Sequence, residues 1–128
     1  MKTVYRLECP DTGEGVYQTP AAAELLDDLR QRAYGDPHPG PTYDPILSVR
    51  WEEIIEGDGL HDYFFGFSSL EQYHAWVYCP EVREKIGEHV VLSEYRAPDA
   101  AFIEGTHQCV FKWDEAKLVT RHVPSMVN

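Results

Sequence analysis

Apolar and polar residues alternate along KTVYRLE, from Lys2 to Glu8, and a period of two in strand-forming residues predicts a β-strand. Val4 and Arg6 share one of its faces, Tyr5 and Leu7 the other. The period then changes to that of a helix in TPAAAELLDDLRQRAYG. Ala22, Leu25, Leu26, Leu29 and Ala33 form one apolar stripe, while Glu24, Asp27, Asp28 and Gln31 project away from it. Thr19 suits the cap, Pro20 the first turn and Gly35 the stop, so this segment predicts one long N-terminal helix.

Between strand and helix, CPDTGEG breaks the chain with a proline and two glycines. TGEG is too short for a phosphate-cradling loop, lacks its lysine, and reads as a plain turn. GDPHPGPTYDP holds four prolines and predicts a surface loop of the kind that forms lids and binding loops. ILSVRWEEII fits a helix or a strand, and Glu52, Glu53 and Glu56 tilt it to a short helix. HDYFFGF is a predicted strand, followed by Ser68 and Glu71 at capping-box spacing. They open a helix to about Tyr78, and Pro80 starts a second that ends at Gly87. HVVLSEYR predicts a strand; QCVFKW and LVTRHV, joined by DEAK, predict a closing hairpin. The order defines an α+β fold: a single compact domain over residues 1–128, mostly antiparallel sheet, with one long N-terminal helix and short helices between strands.

Charge narrows the function. With 22 acidic against 11 basic residues in 128, the formal net charge is −11. A field of that sign repels phosphates and the bases do not cluster, which argues against direct nucleic-acid binding. Solubility explains the excess, and so does an acidic face that docks on a basic partner. No apolar run is long enough to span a membrane, and MKTVYRLEC lacks the apolar core of a signal peptide, so the expected location is the cytoplasm. Cys9, Cys79 and Cys109 show no CxxC spacing and read as reduced thiols, with Cys109 a small buried hydrophobe. The six histidines lie too far apart in sequence for a zinc motif, and no metal is expected.

Four short motifs remain: YR in the first strand, GEGVY after it, FGFSSLEQ followed by Trp76, and QCVF near the end. Their order resembles that of compact ADP-ribosyltransferases, the superfamily that includes bacterial toxins and a phage-borne type I anti-CRISPR enzyme. The chain also resembles short proteins of bacteriophages and mobile elements that share the FGF-x-SLEQ style. The first resemblance implies that Arg6 holds the pyrophosphate of NAD and that Phe67, Ser68 and Ser69 form the corner of the nicotinamide pocket. It further implies that Tyr17 or Trp76 stacks on the ring and that Glu104 or Gln108 acts on the ribose. The family's E-x-E or Q-x-E is absent: HQCVF places Val110 where the catalytic Glu would stand.

Each of these residues also has a purely structural reading. Arg6 suits an ion pair, Ser68 and Glu71 a capping box, Trp76 a core position and Gln108 an exposed strand position. Three functions follow: an NAD-dependent ADP-ribosyltransferase of the anti-defence type, a non-enzymatic acidic inhibitor of a host defence protein with a basic surface, or a protein that sequesters a nucleotide signal.

Overall fold

The computed structural model describes residues 1–32 and 63–127. Strand β1 spans Lys2–Glu8 and keeps the predicted alternation, with Val4, Arg6 and Glu8 on one face and Tyr5 and Leu7 on the other. It pairs antiparallel with β3 (Val91–Ala97), which sets Val4 opposite Tyr95 and Arg6 opposite Ser93. β6 (Lys117–His122) pairs with the far edge of β3, giving the order β1-β3-β6. Along that edge Thr120 faces Glu94 and Leu118 faces Tyr95, so Val119 is the extra residue of a bulge.

A second antiparallel sheet has the order β2-β5-β4, from β2 (Tyr63–Gly66), β5 (Cys109–Lys112) and β4 (Phe102–Glu104). The sheet prediction therefore resolves into two three-stranded sheets. Their backbones are joined by a bridge, Tyr5 to Phe67, with N···O distances of 2.8 and 2.6 Å. Gly66 permits this approach: a Cβ there would lie 2.6 Å from Val4 Cγ1 and 2.9 Å from the Tyr5 carbonyl oxygen.

The predicted closing hairpin does not form. β5 already has β2 on one edge and β4 on the other, so neither edge can accept β6. A single 3-10 turn, Trp113–Glu115, instead carries the chain across to the other sheet. β4 is the strand that the sequence pattern failed to show. At three residues it is too short to display a period.

Three helices lie among the described residues. α1 covers Pro20–Arg32, an ordinary length rather than a long one. Thr19 does accept from Ala23 N–H through its carbonyl, but its hydroxyl donates to the Gly15 carbonyl at 3.2 Å. α2 (Leu70–Trp76) and α3 (Pro80–Ile86) follow β2, with Gly87 capping α3 as expected. Ala33, Gly35, the proline-rich loop at 35–45 and the ILSVRWEEII segment lie outside the described residues.

The architecture is α+β, and among the described residues the two larger apolar clusters lie on opposite faces of β1 and β3. Leu7 and Leu92 pack under the helices with Ala22, Leu26, Leu29 and Ile86. Val4 and Ala97 pack against Cys109 and Phe111 of the second sheet. Hydroxyls tie the helical layer at its ends: Tyr73 donates to the Pro124 carbonyl at 2.8 Å and Tyr78 to the Leu29 carbonyl at 2.9 Å. β1 is thus covered on both sides, which forces its alternate polar residues out of water.

Candidate functional site

The turn after β2 is built from the sequence upward. Ser69, not Ser68, is the N-cap of α2: its extended backbone lets its hydroxyl accept from Gln72 N–H at 3.2 Å. The reciprocal bond also shifts by one residue. Gln72 Oε1 accepts at 2.9 Å from the N–H of Ser68, the residue before the cap, so Ser69 and Gln72 fasten this helix start in place of a Ser68–Glu71 box. That shift releases the Ser68 hydroxyl, which donates to Glu104 Oε1 at the end of β4. Gln72 Nε2 reaches the carbonyls of Gly105 at 3.3 Å and Thr106 at 3.4 Å, fastening the loop before β5 to the same corner. Glu104 is exposed, and Ser68 is partly so. Two residues nominated separately from the sequence, Ser68 and Glu104, therefore meet at the surface; Gln72, Gly105 and Thr106 were not foreseen.

The other nominated residues lie elsewhere. Phe67 and Trp76 are core residues, 6% and 7% exposed, and meet edge to face at 5.6 Å. Gln108 is buried at 4% exposure, not on an exposed strand face. Tyr17 sits on the 3-10 turn Val16–Gln18 with its side chain partly exposed.

Arg6 is buried at 5% exposure, on the face of β1 that meets the second sheet. Its Nη1 donates to the Phe65 carbonyl at 2.8 Å, its Nη2 to the Gly13 carbonyl at 3.3 Å, and its guanidinium lies 4.2 Å from the Phe64 ring centroid. Its Nε faces Glu8 Oε1 at 3.5 Å, an ion pair without hydrogen-bond geometry. Glu8, 2% exposed, takes the Tyr95 hydroxyl on both carboxylate oxygens at 2.7 and 2.8 Å. Burial lowers the Arg6 pKa from its ordinary value, and the Glu8 charge opposes that. The cation assigned to a pyrophosphate thus has two carbonyls, a carboxylate and a ring as neighbours. Removing either member of such a pair strands the other, at a cost of about 3–5 kcal/mol. The signal for Glu8 was in the strand period, since it shares the Arg6 face two residues on.

The thiols differ among themselves. Burial raises the Cys109 pKa well above its ordinary value, with Glu104 adding to the effect. Cys9 is drawn down by its bond with the Thr12 side chain and by the backbone of Asp11 and Thr12. Among the described residues, no group of three or more His, Cys, Asp or Glu is placed to hold a metal ion. No helix among them is long and apolar enough to cross a membrane.

These features define a small α+β protein with two antiparallel sheets, a buried polar cluster between them and an exposed Ser–Glu corner. The family model described as Bacteriophage T4 Y00F protein matches residues 1–125, and the chain belongs to that family. No curated protein and no solved structure matches it. The phage resemblance read from the sequence is therefore supported at the level of family, and no ADP-ribosyltransferase is among the matches.

Two measurements test this geometry. Ser69→Ala should lower the urea-unfolding free energy by about 1 kcal/mol, and Ser69→Asp should restore it. Ser68→Ala, which loses only an exposed bond, should stay within about 0.5 kcal/mol of wild type. The second test is alkaline unfolding. Burial, then the bond to Glu8 and its charge, push the Tyr95 pKa from 10.0 up to about 12. The folded state therefore holds this proton after the unfolded chain has released it. Its contribution is intact below pH 10 and is lost as pH rises to about 12. Tyr95→Phe should lower stability at neutral pH by about 1–2 kcal/mol and make the alkaline decline shallower. Tyr73, also raised by burial, preserves part of that decline.

Proposed function

We propose that this protein acts by binding rather than by catalysis, as an acidic phage accessory protein that docks on the basic surface of a host defence protein in the host cytoplasm. The observation that supports this reading is how its charges are divided. Glu24, Asp27 and Asp28 are exposed on the outer side of α1, and Glu81, Glu84 and Glu88 are exposed on and just after α3. Arg6, the cation that an NAD site would need, is buried against internal partners. A net charge of −11 accelerates encounter with a basic partner through long-range attraction.

Changing Glu24→Gln, Asp27→Asn and Asp28→Asn together should shift the melting midpoint only slightly, because exposed polar substitutions on a helix surface cost little. Association with the host protein recovered by affinity capture should slow, and its dependence on ionic strength should flatten. A rate and salt dependence equal to wild type would count against the α1 face.

A second reading rests on the contact between Ser68 and Glu104. In a nucleotide-handling enzyme Glu104 would polarise the nicotinamide ribose and Ser68 would orient it. Millimolar NAD should then raise the melting midpoint, and Glu104→Gln should abolish the shift. A flat response in wild type removes NAD from consideration.

A further inference from the structure

Among the described residues, two buried side-chain atoms lack a hydrogen-bond partner, Arg6 Nε and Ser93 Oγ. They belong to directly opposed residues of β1 and β3, on the face that the second sheet covers. Opposed side chains on one face of an antiparallel pair start roughly 4.5–5.5 Å apart at Cβ. β6 extends the row, because Ser93 is also in register with Arg121, which is exposed. A short side chain thus stands between two long ones, which leaves space beside it. The third group at this point is Glu8, whose Oε1 lies 3.5 Å from Arg6 Nε and whose two oxygens accept from the Tyr95 hydroxyl. A carboxylate has about four lone-pair positions, so Glu8 can accept further bonds. Exposures of 5% for Arg6, 2% for Glu8 and 0% for Ser93 close the region to bulk solvent.

We propose that this point is a binding site for one internal water molecule, held by Arg6 Nε, Ser93 Oγ and the Glu8 carboxylate. Nearly all buried polar groups in folded proteins have a partner, and an enclosed water commonly supplies it. The surrounding charges select water over an ion. Glu8 repels an anion and Arg6 repels a cation, while the group required must accept from Nε–H and donate to a carboxylate. Water does both, and it forms a further bond with the Ser93 hydroxyl, which can donate or accept. The total is about three bonds, the usual number for an enclosed water. This water links β1 to β3 inside the cluster that joins the two sheets, and its site is independent of the docking surface proposed above.

The experiment uses the full chain, isotopically labelled at arginine, and its first reading needs no variant. Water-selective NOE and ROE spectra follow the Arg6 Nε–H resonance, assigned through its side-chain carbons. A bound water should give this proton a cross-peak at the water frequency, with the ROE sign of a contact rather than the opposite sign of proton exchange. No cross-peak, or one with the exchange sign, overturns the site. So does a scalar coupling across a direct bond from Nε–H to Glu8. Two variants then separate the water from the serine proton. Ser93→Ala removes the exchangeable hydroxyl and fills no space, so the cross-peak should remain, held by Arg6 and Glu8. Its loss there assigns the signal to the hydroxyl and overturns the proposal. Ser93→Val places methyl groups in the space of the water, so the cross-peak should disappear; a peak of unchanged intensity puts the water elsewhere and overturns the site. Where Ser93→Val fails to fold, the wild-type and Ser93→Ala readings still decide.

Discussion

A guanidinium and a carboxylate two residues apart on one strand, both out of water, govern how the two sheets of this protein meet. Taking either ion out of water is costly, and their mutual attraction offsets the loss only with good geometry and additional partners. Arg6 finds those partners in the Phe65 and Gly13 carbonyls and the Phe64 ring; Glu8 finds its partner in the Tyr95 hydroxyl. Each link crosses a boundary. Phe64 and Phe65 belong to the second sheet, Gly13 to the loop after β1, and Tyr95 to the neighbouring strand of the first sheet. One polar cluster therefore holds three parts of the chain in register. The Arg6 Nε and the Ser93 hydroxyl, on directly opposed residues, have no hydrogen-bond partner among the described residues. The cluster is thus specific in its connections without being fully satisfied.

This arrangement shapes what the surface offers. Because the first strand and the aromatic corner serve the interior, the most accessible chemistry is left at the edges: the Ser68–Glu104 contact, the acidic sides of α1 and α3, and the turn at Trp113. Trp113 is coupled to the buried cluster through Phe64, so the exposed ring takes its orientation from the same interaction that joins the sheets.

Local chemistry was legible where a segment carried its own pattern. The period of two placed Val4 and Arg6 together, the stripe on α1 identified Ala22, Leu26 and Leu29 as buried, and Pro80 and Gly87 marked the limits of α3. The helix cap was placed one residue early because SSLEQ contains two overlapping spacings, Ser68 with Glu71 and Ser69 with Gln72. Gln72 settles the choice through bonds to Gly105 and Thr106, residues more than thirty positions away. Membership in a phage protein family was visible in the style of the sequence. The ADP-ribosyltransferase resemblance rested on motifs of two to four residues, which do not specify whether a side chain faces a ligand or a core: Arg6, Phe67 and Trp76 are buried, whereas Glu104 is exposed.

The sequence by itself determined most of the described strands and helices, β4 excepted, where several of them stop, and the net charge of −11. Those properties depend on neighbours along the chain: periodicity, prolines, glycines and net charge. Only the tertiary structure decided that β5 and β6 belong to different sheets, that Arg6 lies inside, and that Ser68 reaches Glu104. Each depends on which strand edge is already occupied or which face is already covered. β5 cannot take β6 because β2 and β4 fill its edges, and Arg6 cannot reach water because the second sheet lies over its face. Such constraints arise between residues far apart in sequence, where no local pattern records them.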